Sequence, residues 1–87
     1  MARYLADAAA EGVTGAVRLK VVVGRRGQVE EARVVRSSGD DRLDRAAESA
    51  VRRWRYRPAQ QEGRSISAVD YVEVEFYRED EEKSDKR

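Results

Sequence analysis

Between Leu43 and Trp54 the apolar residues recur with a helical period. Leu43, Ala46, Ala47, Ala50, Val51 and Trp54 stand at i, i+3, i+4, i+7, i+8 and i+11, while Arg42, Arg45, Glu48, Ser49, Arg52 and Arg53 fill the opposite side. A helix with one such stripe needs an apolar surface to lie on. In 87 residues there is room for a single small core, so the remaining sequence has to supply that surface. The turn Ser37-Ser38-Gly39-Asp40-Asp41 predicts where the helix starts. Asp40 or Asp41 can cap the free N–H groups, and Asp44 adds negative charge to the first turn. Pro58 predicts the end of the helix or of its exit strand, because the residue before a proline is pushed out of the α region.

The surface for the helix is written as alternation. Val17, Leu19, Val21 and Val23 interleave with Arg18, Lys20 and Val22, which predicts a strand over 16–23 with one apolar face. Gly24-Arg25-Arg26-Gly27 breaks the run as a hairpin turn, and a second strand is expected over 29–36. Val34 and Val35 are both apolar and spoil its alternation. A bulge near Glu30-Glu31, or an outer-face contact with Val22, would account for that. A third strand is expected over 66–77, with Val72, Val74 and Phe76 facing inward and Tyr71, Glu73, Glu75 and Tyr77 outward. The segment from Tyr4 to Glu11 is alanine-rich, which predicts a short helix stopped by Gly12 and held against the sheet by Tyr4, Leu5, Ala8 and Ala9. Gln60 to Arg64 reads as a polar loop, and the charged residues 79–87 as a disordered tail behind a single domain of residues 1–78.

These elements imply an α+β fold. The hairpin makes the first two strands antiparallel, and the long helix returns the chain so that the third strand lies antiparallel beside the first. The expectation is a three-stranded antiparallel sheet of order 2-1-3, with a short N-terminal helix and one long amphipathic helix on one face. The third strand would then be a sheet edge. A row of unpaired N–H and C=O groups along it is either blunted by Asp70, Glu73 and Glu75 or is the working surface.

The residue inventory argues against catalysis. With no histidine and no cysteine, the usual general bases, activated nucleophile pairs and zinc or iron ligands are missing. No catalytic residue, metal site or cofactor is expected. Lys+Arg 18 against Asp+Glu 17 gives no overall field toward nucleic acid or an anionic membrane. No apolar run approaches the ~20 residues of a membrane-spanning helix, and Met1-Ala2-Arg3 is too short for a signal peptide.

Several runs resemble the carboxy-terminal domain of TonB-type energy transducers. They are Tyr4, the stretch from Gly15 through Val17-Arg18-Leu19-Lys20-Val21-Val22-Val23, and Gly27-Gln28-Val29. Val34-Val35-Arg36-Ser37-Ser38-Gly39, Leu43-Asp44-Arg45-Ala46-Ala47 and Val72-Glu73-Val74-Glu75-Phe76 follow. The most specific is Ala50-Val51-Arg52-Arg53-Trp54-Arg55-Tyr56-Arg57-Pro58-Ala59. Leu5, where the family commonly has proline, and Arg25-Arg26, where it often has an acidic residue, depart from the pattern. The resemblance implies a periplasmic domain of a protein anchored in the inner membrane and coupled to an ExbB–ExbD-type motor through regions outside these residues. It implies binding of a short extended segment of outer-membrane transporters as an added strand. Carried onto this chain, the partner-binding residues are Ile66, Ser67, Ala68, Val69, Asp70, Tyr71, Val72, Glu73, Val74, Glu75, Phe76 and Tyr77.

Other readings stand beside this one. The same fold could serve a TolA-like or gliding-machinery scaffold with a different protein partner. Arg52, Arg53, Arg55 and Arg57 could form a phosphate-binding patch, although a solvated helix end is the simpler account. Ser37-Ser38-Gly39 could cradle an anion or simply cap the helix. Trp54 reads as a core anchor completing the helix stripe. A free edge and an unattached N-terminal segment leave homodimerisation by edge pairing or strand exchange open.

Overall fold

The computed structural model describes residues 2–7 and 13–77. Along the chain lie β1 (Ala2–Asp7), β2 (Gly15–Val23), β3 (Val29–Arg36), α1 (Asp41–Arg52), β4 (Ala59–Gln61), β5 (Arg64–Ile66) and β6 (Ala68–Tyr77). Four of the strands form one sheet in the order β1-β6-β2-β3, and β4 with β5 forms a separate hairpin.

The alternation in β2 does what its period dictates. Val17, Leu19, Val21 and Val23 are buried, and they meet Val72, Val74 and Phe76 of β6 under the helix residues Leu43, Ala47 and Val51. Ala32 joins them from β3. Fully burying one such Val or Leu side chain stabilises by about 1.5–3 kcal/mol, so these few residues hold the domain together. Ala46 and Ala50 stay exposed, so the stripe that α1 buries is narrower than its apolar periodicity.

Strand β3 is irregular at two places. Val22 pairs with Glu31 and Val23 with Val29, which leaves Glu30 as an extra residue. Arg18 pairs with Arg36 and Leu19 with Val34, which leaves Val35 as another. A bulge near Glu30-Glu31, one of the two accounts the sequence left open, is therefore present. The second one explains the paired valines, since it turns Val35 outward to 47% exposure.

The helix start is set by side chains. Asp40 is the N-cap, with extended backbone, and its carboxylate accepts the Arg42 N–H at 2.8 Å. The hydroxyls of Ser37 and Ser38 both donate to Asp44, and the Ser38 N–H adds a 3.0 Å bond to the same carboxylate. The turn is filled by the chain's own acids, which disposes of the anion-cradle reading.

Three expectations need correction. The sheet has four strands and is mixed, not three-stranded and antiparallel. The predicted 2-1-3 order survives as β3-β2-β6, but β1 adds to the outer side of β6 in parallel. The predicted N-terminal helix is a strand over Ala2–Asp7, while the part of that expectation on residues 8–12 lies outside the described residues. Isolated short helices are marginal, and here the open edge of β6 offers a full set of backbone partners instead. The long helix ends at Arg52, so Trp54 lies beyond it. Its last turn tightens, with Arg53 N–H bonding to the Ala50 carbonyl and Trp54 N–H to that of Val51.

Two further expectations concern the chain after Pro58. The polar loop is a hairpin, with β4 and β5 joined through Glu62 and Gly63. Both carry positive φ, 53° and 79°, as a type I′ turn requires. The third strand, expected over 66–77, is divided. Ile66 closes β5, Ser67 links, and β6 begins at Ala68. The expected charged tail at 79–87 lies outside the described residues.

Candidate functional site

After α1 the segment Trp54–Pro58 crosses the β2–β3 turn, and one glycine makes the crossing close. Gly27 has φ +85°, and a Cβ there would collide with the Tyr56 carbonyl. The Gly27 carbonyl accepts the Tyr56 N–H at 2.8 Å, and Gln28 bridges Arg55. The chain is thereby pinned so that Trp54 and Tyr56 point to the sheet side that β1 borders.

Tyr56 is fixed a second time, from β6. Its hydroxyl donates to Asp70 Oδ2 at 3.1 Å. Burial, then this bond and the neighbouring carboxylate charge, push the phenol well above its usual range. Trp54 and Tyr56 have ring centroids 6.5 Å apart, and Tyr4 of β1 lies on Trp54 with centroids 4.3 Å apart at 55°. Tyr4, Leu5, Trp54, Arg55 and Tyr56 line an open cleft of about 480 Å³.

On the outer face of the sheet the register builds a row of alternating charge. Arg3 of β1, Glu73 of β6 and Arg18 of β2 stand side by side. Arg3 Nε lies 3.0 Å from Glu75 and 3.6 Å from Glu73. Arg18 Nε is buried without a hydrogen-bond partner. The Arg3 side chain is 65% exposed, so its ion pairs are worth at most about 1 kcal/mol.

The expected site residues thus separate by role. Ala68 to Tyr77 run through β6, where Val72, Val74 and Phe76 are buried core and Glu73, Glu75 and Tyr77 are half-buried on the other face. Val69 and Tyr71 are exposed. Asp70 is engaged with Tyr56, and Ile66 and Ser67 precede the strand. β6 is not a bare edge: from Val72 to Tyr77 its outer side is paired with β1, Ala2 opposite Val72 through Asp7 opposite Tyr77.

Sequence reasoning missed β1 as part of this site. The signal was slight: Arg3 and Leu5 alternate with Tyr4 and Ala6, a strand pattern overshadowed by the alanines that follow. Trp54 is an aromatic shelf for β1 as well as a core neighbour. Of the arginine run, Arg52 pairs with Glu48 at 2.8 Å, while Arg53, Arg55 and Arg57 are exposed. Among the described residues no cluster of three or more acidic side chains could hold a metal ion.

Residues 2–77 match the profile of the family described as Gram-negative bacterial TonB protein C-terminal. The chain belongs to that family. It is also 37% identical over 73 residues to a curated TonB-family protein, Protein tonB2 of Pseudomonas aeruginosa, a match covering 84% of this chain and 27% of that protein. The chain therefore spans about a quarter of the relative's length. No solved structure matches it. The TonB match takes in β1 as well as the sheet and helix, so all the elements around β6 fall within the family region.

Proposed function

We propose that this domain is a non-catalytic periplasmic adaptor of the TonB type. It binds a short extended segment of outer-membrane transporters by adding that segment as a strand along β6, and so passes inner-membrane energy to outer-membrane transport. Family membership supports the periplasmic setting. The full-length protein is anchored in the inner membrane and driven by an ExbB–ExbD-type motor through regions outside these residues.

One observation carries the reading. The outer side of β6 takes a strand in parallel, at the end of an otherwise antiparallel run of strands. An edge that holds β1 through a backbone ladder has the geometry to hold another extended segment in the same way. In this role the β6 backbone gives affinity. Val72, Val74 and Phe76 keep the strand seated on the core, and Tyr71, Glu73 and Glu75 tune the choice of partner. Exchange of β1 between two copies is the accompanying route to a homodimer.

The test is an NMR titration of the labelled domain with peptides copying the periplasmic ends of outer-membrane transporters. Amide shifts concentrated in Val72–Tyr77 and on the facing β1 residues are expected. Shifts confined to Arg52–Arg57, or none with any such peptide, would leave the fold intact and direct attention to a scaffold with a different protein partner.

A further inference from the structure

We propose that β1 is a tethered competitor for the edge of β6, so that a partner segment binds only by taking the place of the chain's own residues 2–7. This rests on the strand-addition reading above and adds a self-occupied state to it.

The argument begins with exclusivity. A strand edge has one row of N–H and C=O groups, and β1 uses the row from Val72 to Tyr77. An added strand on that stretch and β1 cannot both be present. The inner side of β6 is committed to β2 from Ala68 to Phe76, leaving no second row.

The hold of β1 is also light. Tyr4 is 41% exposed and Leu5 58%, and the Arg3 ion pairs lie in solvent. Beside those ion pairs, its described side chains place the Tyr4 ring on Trp54 and Ala6 against the core. Among the described side chains of β1, none matches the fully buried Val17, Leu19 and Val21 that anchor β2. Such a strand can leave without opening the core.

The tether makes this weak strand effective. Asp7 pairs with Tyr77 and Gly15 with Phe76, so the end of β1 and the start of β2 flank the same end of β6. The seven residues 8–14 join them. A released β1 stays within a short chain's reach of its seat, which corresponds to millimolar effective concentration. A partner in free solution competes against that, and its apparent affinity falls by the fraction of molecules in which the edge is open.

The test weakens β1 in the full chain without touching the buried core. In an edge strand alternate residues direct their N–H groups to the neighbour, so Tyr4→Pro with Leu5→Pro removes one ladder bond whichever of the two faces β6. Arg3→Glu, which sets like charge against Glu73 and Glu75, is the milder second variant. The probe is a synthetic peptide copying the periplasmic end of a TonB-dependent transporter, titrated by calorimetry. The double variant is expected to bind it on the order of tenfold more tightly than the unaltered chain, with a smaller gain for Arg3→Glu. Far-UV and NMR spectra report whether the core persists in each variant, and Arg3→Glu alone decides if the double variant does not fold. Equal or weaker binding by the folded variants overturns the competitor while leaving strand addition in place. Absence of binding to every chain, the unaltered one included, overturns strand addition and the competitor together.

Discussion

Strand β6 has two neighbours of very different character. On one side β2 pairs with it antiparallel from Gly15 to Val23, and Val17, Leu19 and Val21 are fully buried at the join. On the other side β1 pairs with it in parallel from Ala2 to Asp7, with Tyr4 and Leu5 exposed. Both flanks make a backbone ladder. What separates them is burial: a typical intramolecular hydrogen bond contributes only about 0.5–1.5 kcal/mol net, while each buried aliphatic side chain contributes about 1.5–3. A ladder alone makes a strand exchangeable, and a ladder with a core beneath it makes one permanent.

The largest break in this contrast comes from Leu19→Ala. It should cost about 2–5 kcal/mol, enough to unfold most of a domain this small or to lower its midpoint by ten degrees or more. Thermal melts followed by circular dichroism should show it, and β6 amides facing β2 should lose their exchange protection with the whole fold. If Leu19→Ala instead released only the β1 side, the assignment of permanence to the β2 flank would be wrong.

Gly27→Ala should come next, at about 1–3 kcal/mol, since a side chain at φ +85° also meets the Tyr56 carbonyl. Its distinctive mark is on Trp54. That residue is the only tryptophan in the chain, so its fluorescence reports on this shelf alone. A shift in emission at denaturant concentrations where the fold persists is expected, because the segment carrying Trp54 must move off the turn.

Acid should act on the helix start. Hydrogen bonding to the Arg42 side chain and backbone lowers the Asp40 carboxyl from 3.8 to about 2. At Asp44 burial opposes ionisation, but the bonds from Ser37 and Ser38 outweigh it and leave that carboxyl lowered as well. Both groups hold protons less tightly folded than unfolded. Their stabilisation is therefore present above the ordinary carboxylate range and lost as pH falls through it toward about 2. Melting midpoints should drop over that window, and Asp40→Asn, which keeps a capping oxygen without the charge, should flatten the drop. An unchanged profile in that variant would remove Asp40 from the account.

The smallest effect belongs to Tyr4→Ala. Loss of one exposed ring contact should cost no more than about 1 kcal/mol. Hydrogen exchange should nevertheless speed up on the outer side of β6 and stay slow toward β2. Uniform acceleration on both sides would show that the two flanks are one cooperative unit.

Much of this was legible in the sequence where side chains decide the structure. The alternation from Val17 to Val23 and the pairing of inward Val72, Val74 and Phe76 with Leu43, Ala47 and Val51 follow from period alone. That β3 is irregular was legible from its paired valines, but the bulge that explains them lies at Val35, and the bulge near Glu30-Glu31 was only one of two accounts the sequence left open. β1 was not legible, because its local composition favours helix and its strand state depends on an edge presented by residues at the other end of the domain. Likewise Glu62 at positive φ hid the β4–β5 hairpin, since that backbone region favours glycine or asparagine. At the site, β6 itself could be located in advance, but its occupant could not.

The two bulges of β3 have a further consequence. Glu30 and Val35 interrupt the outermost strand on the side away from β1, and Glu31, Arg33 and Arg36 add exposed charge along it. Kinked, overtwisted and charged, that margin is a poor template for another strand. The sheet is thus asymmetric as a polymerising unit. A strand added on the β6 side would meet a molecule whose far side is a poor template, so the pairing would not propagate from one molecule to the next.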